Sequence, residues 1–171
     1  MYCQPQFRTL HISTFVVTCS LIWVCMIKSE ESNYDELCNF AFAADCHGHP
    51  ELSFPSTYFG NCVVSGGVSI KRSLLVGENG IIEGVKAIER EVRNLKSSDI
   101  LKKAETFMSD LKEFGKSEKS VLIIAGSPKL ALYDTNFWWG RPKKSELLTG
   151  SSRTVSLSDC RKMKKVGLKL D

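Results

Sequence analysis

Near the start of the chain the apolar positions run on without a polar stripe. Ile12–Ile27, ISTFVVTCSLIWVCMI, is apolar all round a helical wheel, relieved only by Ser13, Thr14, Thr18 and Ser20. Such a helix suits a buried position in a core. Preceded by Arg8, it also fits the apolar middle of a signal peptide, although no small-x-small cleavage site follows. It is shorter than the roughly 20 residues that a membrane-spanning helix needs.

Beyond the polar run Ser29–Glu36 the period changes. LCNFAFAAD, Leu37–Asp45, sets Phe40 and Phe42 at strand spacing among small residues and predicts a buried strand. HGHPELSFPSTYFGN, His47–Asn61, carries two prolines and two glycines and predicts a loop. CVVSGGVSI, Cys62–Ile70, reads as a second strand, and Gly66-Gly67 predicts a bulge or a close backbone approach.

Two amphipathic helices are expected next. Ile81, Ile82, Val85, Ile88, Val92 and Leu95 step by three and four, with charges between them. Leu101, Ala104, Phe107, Met108, Leu111 and Phe114 repeat the pattern, after Ser97, Ser98 and Asp99 as N-cap candidates and before Gly115 as a stop. VLIIA, Val121–Ala125, predicts a central strand. KLALYDTNF is expected to resume as an extended segment, and TVSLS (Thr154–Ser158) and VGLKL (Val166–Leu170) as final strands. The order predicts an α/β or α+β fold in one domain spanning 1–171, a mixed sheet with antiparallel pairs flanked by helices.

Charge alters this picture little. The net charge is +4, but residues 141–171 hold nine Lys/Arg against three Asp/Glu. A basic end can meet phosphates or anionic lipid, or simply be a solvated face. Its lysines are not interleaved with stacking aromatics, which argues against nucleic acid. Seven cysteines without a CxxC form neither a zinc pattern nor a disulfide framework, and they point to a reducing compartment. His47 and His49 sit beside Cys46 and Glu51, yet the spacing matches no standard zinc site, so no metal is expected. No GxSxG, P-loop or GxGxxG occurs.

Five segments in order resemble one family: STFVVTCSLIWVCMIKS (Ser13–Ser29), FAADC (Phe42–Cys46), PSTYFGNCV (Pro55–Val63), GSPKLALYDTNFWWGRPKK (Gly126–Lys144) and TVSLSDCR (Thr154–Arg161). Together they resemble the plant BAHD acyl-CoA-dependent acyltransferases. The branch with the YFGNC hallmark, here Tyr58-Phe59-Gly60-Asn61-Cys62, is that of the anthocyanin and phenolic-glucoside malonyltransferases.

The resemblance implies the C-terminal lobe of a chloramphenicol-acetyltransferase-like two-lobe fold, with Ile12–Ile27 as an internal buried helix. It implies transfer of a malonyl-like group from acyl-CoA, as co-substrate, to a hydroxyl of a phenolic or flavonoid glucoside. The family's general base lies in an HxxxD motif of the other lobe. This chain has no HxxxD; His47-Gly48-His49-Pro50-Glu51 is HxxxE by letters, where the family usually has arginines. No catalytic residue is therefore assigned, and the chain alone is expected to be inactive.

Thr57 and Asn61, with Thr14 and Thr18, are candidates for facing the acyl-CoA or the acceptor. Tyr58, Phe59 and Gly60 form one structural motif. Asn136, Phe137, Trp139 and Gly140 form another, matching the family's structural DFGWG loop with Asn in place of Asp and Trp138 in place of the first Gly. If that glycine has positive φ, Trp138 is strained. The ending DCRKMKKVGLKLD is shorter than is usual for the family. A cytoplasmic protein with no membrane or nucleic-acid partner is expected, partnered by a missing lobe or a full-length relative. A non-catalytic interaction protein and a small secreted or membrane-anchored protein are the alternatives.

Overall fold

A computed structural model describes residues 12–55, 57–97, 100–116, 121–126, 132–136, 138–145 and 153–158. The elements run α1 (Thr14–Ser29), β1 (Leu37–Asp45), β2 (Val63–Lys71), α2 (Arg72–Val76), α3 (Gly80–Ser97), α4 (Ile100–Lys116), β3 (Val121–Ala125) and β4 (Thr154–Ser156). The four strands form one mixed sheet in the order β2-β1-β3-β4. β1 pairs antiparallel with β2, and parallel with β3, which in turn pairs parallel with β4. The expected mixed sheet with flanking helices is what forms, and no helix among the described residues is long and apolar enough to cross a membrane.

Helix α1 starts where Ser13 caps it, its Oγ accepting from the Val16 N–H at 3.3 Å. Its inner face, Val16, Cys19, Ser20, Trp23, Val24 and Ile27, is buried at helical spacing. Trp23 stacks obliquely against Phe40 of β1 with ring centroids 5.3 Å apart, and Phe15 meets Phe42 edge-on at 5.6 Å. The burial predicted from its apolar sequence is one-sided. Val17 and Leu21 remain 43% and 47% exposed, beside exposed Cys25, Thr14 and half-buried Thr18.

β1 sends Cys38, Phe40 and Phe42 into the core on alternate positions. Gly66 and Gly67 pair in unbroken register with Phe42 and Ala41, so the expected bulge is absent and the close approach is real. A Cβ at position 66 would come within 2.4 Å of the Phe42 ring. Helix α3 lies on α1, where a Cβ at Gly84 would sit 3.4 Å from Ser20.

Two expectations are revised and one element is added. Helix α2 covers Arg72–Val76, a stretch to which the sequence pattern assigns no element. It turns there because Arg72 buries its guanidinium, donating to the Ile27 carbonyl at 2.5 Å and to the Glu30 carbonyl, and so pins the end of α1. In KLALYDTNF, the described Leu132–Asp134 is a 3-10 turn rather than extended chain. Helix α4 forms as expected, but Leu101 and Met108 on its apolar stripe are 56% and 61% exposed. The expected strand Val166–Leu170 and the caps Ser98 and Asp99 lie outside the described residues.

Candidate functional site

The loop between β1 and β2 is closed at its root and organised by short local bonds. The Cys46 N–H donates to the Cys62 carbonyl at 3.0 Å, one step beyond the last strand pair, Asp45 with Val63. The His49 N–H returns to the Cys46 carbonyl at 3.0 Å, and the Leu52 N–H to the His49 carbonyl at 2.9 Å. Glu51 turns away from the loop, its Oε2 accepting from the Ile100 N–H at 3.4 Å, at the N-terminus of α4.

Asp45 holds His47 twice. Its Oδ1 accepts from the His47 backbone N–H at 3.1 Å and lies 2.5 Å from Nδ1. The side-chain hydrogen bond with His47 is the main reason the Asp45 carboxyl lies below its ordinary value. The imidazole packs beside Phe54 and Tyr58, at centroid distances of 6.4 and 6.0 Å, and those two rings are stacked at 4.4 Å. Tyr58 folds over Gly60 so closely that a Cβ there would meet its ring at 2.1 Å, which explains the glycine in the YFGNC segment.

Behind the loop lies a cavity of about 470 Å³, walled mainly by apolar side chains of β1, β2 and α3, with Cys46 and His49 on the loop side and Lys96 on α3. The volume falls within the range of small-molecule sites. His49 Nδ1 accepts from the Glu51 N–H at 3.3 Å, which in the neutral ring leaves the proton on Nε2. Cys46 and Cys62 are both buried with sulfurs 3.2 Å apart. Burial, followed by the hydrogen bond with Cys62, pushes the Cys46 thiol up to about 12.

The second loop, Tyr133–Ser145, is tied across its base. The Ser145 N–H donates to the Tyr133 hydroxyl at 3.3 Å, and Arg141 lies 3.6 Å from Asp134. Inside it the Asn136 side chain accepts from the Trp138 N–H at 3.0 Å, a local turn that mimics backbone. Trp138 has φ of 76°, the only positive φ of a non-glycine residue among those described, and Gly140 has φ of 111°. Trp138 is fully exposed at 101% and Trp139 nearly so at 88%.

The predicted residues thus fall into two loops. Thr57, Tyr58, Phe59, Gly60 and Asn61 share the first. Thr57, Phe59 and Asn61 point their surface to solvent, and Tyr58 joins the aromatic cluster with His47. Asn136, Trp139 and Gly140 share the second, and Phe137 lies outside the described residues. Sequence reasoning missed the Asp45–His47 pair, the Cys46–Cys62 contact and buried Arg72. The cysteine contact could have been found by pairing the strands through Asp45 and Val63, and the Asp45–His47 pair from an Asp two residues before a His at a strand end. Among the described residues no group of three or more His, Cys, Asp or Glu gathers as metal ligands would.

Residues 5–167 match the Transferase family. The malonyl-coenzyme:anthocyanin 5-O-glucoside-6'''-O-malonyltransferase of Salvia splendens is 39% identical over 154 residues, covering 86% of this chain and 32% of the relative. The coumaroyl-CoA:anthocyanidin 3-O-glucoside-6''-O-coumaroyltransferase 2 of Arabidopsis thaliana is 38% identical over 157 residues, covering 86% of this chain and 34% of its own length. Vinorine synthase has the same fold over 90% of this chain and 37% of its own, with a TM-score of 0.67 at 13% identity. The chain therefore spans about a third of the length of the curated relatives it matches. With its YFGNC segment, its mixed sheet and its match along nearly the whole length, the chain belongs to the Transferase family, the BAHD acyltransferases whose motifs it carries.

Proposed function

We propose that this chain supplies one wall of an acyl-CoA-dependent acyltransferase. The donor is a malonyl-like acyl-CoA and the acceptor a hydroxyl of a phenolic or flavonoid glucoside, in keeping with the reactions named for its relatives. Alone, the chain does not turn over. The observation that carries this is the fate of its HxxxE letters. His47 is held by Asp45 in a surface turn, and Glu51 meets the start of α4 instead of supporting the histidine. The Asp45–His47 pair has the outline of a base and its orienting carboxylate, but Asp45 also takes the His47 backbone N–H, and both side chains stand in water. It is a turn lock. A positioned base contributes about 10² to 10⁴ in rate, and that contribution must come from another lobe.

Thr57 and Asn61, with Thr14 and Thr18 on the open face of α1, are the residues proposed to face acyl-CoA or acceptor. The protein is proposed to act in the cytoplasm. The deciding measurement is incubation of the purified chain with malonyl-CoA and a flavonoid glucoside. No product is expected from the chain alone. Turnover comparable with a full-length relative overturns the proposal, and loss of that turnover in His47→Ala would then identify His47 as the base.

A second reading, a non-catalytic partner-binding protein, draws on exposed Val17, Leu21, Phe59, Trp138 and Trp139. Size-exclusion chromatography with and without a full-length relative tests it: co-elution that leaves the relative's own turnover unchanged is expected of a binding protein, and separate elution counts against this reading.

A further inference from the structure

We propose that Cys46 and Cys62 are a redox-responsive pair, closed by a low-molecular-weight disulfide oxidant into a bond that ties together the two ends of the 47–61 loop. The geometry is nearly in place. The two residues face each other across the continuation of the β1–β2 ladder, and their backbones already share the 3.0 Å bond from the Cys46 N–H to the Cys62 carbonyl. Neighbours across antiparallel strands have Cα atoms about 4.5 to 5.5 Å apart, inside the range that disulfides span. The sulfurs stand 3.2 Å apart, so bonding at about 2.05 Å asks for a movement of only about 1 Å.

Access comes from one side. Cys46 lines the cavity behind the loop, which gives an incoming oxidant a route to its sulfur. The thiol of Cys46 gives up its proton, and its sulfur attacks one sulfur of the oxidant. The oxidant's S–S bond breaks, one thiolate leaves, and a mixed disulfide remains on Cys46. Cys62 then loses its proton and attacks the Cys46 sulfur, expelling the second thiolate. The pair has lost two protons and two electrons, and the oxidant has been reduced to two thiols.

Burial sets the pace of this exchange. Only the thiolate attacks, and the Cys46 thiol lies at about 12, so closure is slow at neutral pH and quickens about tenfold for each unit that the pH rises toward that value. The pair therefore stays open in a reducing environment. Once closed, it makes the segment bearing His47, Tyr58 and Phe59 a covalent ring. This goes beyond acyl transfer and is tested without any turnover.

The full chain carrying Cys25→Ser, which removes the exposed thiol of α1, is equilibrated without denaturant in increasing ratios of oxidised to reduced glutathione. It is then digested and mapped by mass spectrometry. A linked Cys46–Cys62 peptide lighter by two hydrogens is expected, forming faster as pH rises, and absent from Cys62→Ser and Cys46→Ala. Two variants are used so that a folding defect in one, seen by circular dichroism, leaves the other informative. Hydrogen exchange across 47–61 should slow several-fold on closure. The proposal is overturned if both thiols stay reduced at ratios that fully modify Cys25 in the unsubstituted chain. It is equally overturned if the link appears only in urea, or if it forms and leaves the loop's exchange unchanged.

Discussion

Helix α1 and the 136–140 turn are both dense in bulky side chains, and they place them in opposite ways. Trp23 is wholly buried against Phe40, whereas Trp138 and Trp139 stand in solvent, Trp138 on a backbone that only glycine adopts without cost. The first arrangement is held by packing. The second is held by the Asn136 side chain on the Trp138 N–H and by the ties across the loop's base. The same residue type is thus an anchor in one region and a conformational burden in the other, and neighbours decide which.

Three changes test that contrast. Trp23→Ala should cost about 3 to 5 kcal/mol, the range for emptying a large aromatic site in a core, read as a lowered midpoint in urea unfolding. A cost below about 1 kcal/mol would mean that α1 is not seated as described. Trp138→Gly should do the reverse and stabilise the chain by about 1 kcal/mol. The left-handed conformation costs a non-glycine residue about 1 to 2 kcal/mol, partly offset by the greater freedom of glycine when unfolded. A loss of stability instead would show that the exposed indole makes contacts worth more than its strain.

The smallest effect is expected at the other loop. The Asp45 carboxyl is depressed in the folded chain, so the stability it lends is present above its ordinary value and is lost as pH falls through the lower folded value. Asp45→Asn should flatten the acid limb of a stability-against-pH curve and leave the curve near neutrality unchanged in shape. An unaltered acid limb would separate Asp45 from His47.

Much of this architecture is legible in the residues. α3 appears where Ile81, Val85, Ile88 and Val92 predict it, and β1 where Phe40 and Phe42 alternate, because periodicity reports directly on which face an element buries. Periodicity does not say what covers that face. Leu101 and Met108 have the stripe of a core helix and remain exposed, and Val17 and Leu21 do the same on α1. The sheet order was out of reach for another reason: Asn39 pairs with Val121 across a long stretch of sequence, and no local pattern encodes such a meeting. At the candidate site, the strain at Trp138 was readable only through the family's glycine, since nothing in Asn-Phe-Trp-Trp-Gly itself demands a positive φ. Arg72 offered no signal, because the carbonyls it joins lie at the end of α1 and just beyond it, far back along the chain.

The parallel seam between β1 and β3 also orders events in time. As the chain is made, β1 and β2 can pair as soon as Lys71 is available, but β1's other edge must wait for Val121–Ala125. At about 5 to 20 residues per second the wait from β2 to β3 lasts about 3 to 10 s. During that interval Phe40, Phe42 and their neighbours lie in a two-stranded ribbon with one edge unpaired, and α1, α2, α3 and α4 are the described elements, made before β3, that can pack on it. The core around Trp23, Phe40 and Phe42 can therefore assemble before the sheet is complete, and the last two strands are added to an edge that is already backed by helices.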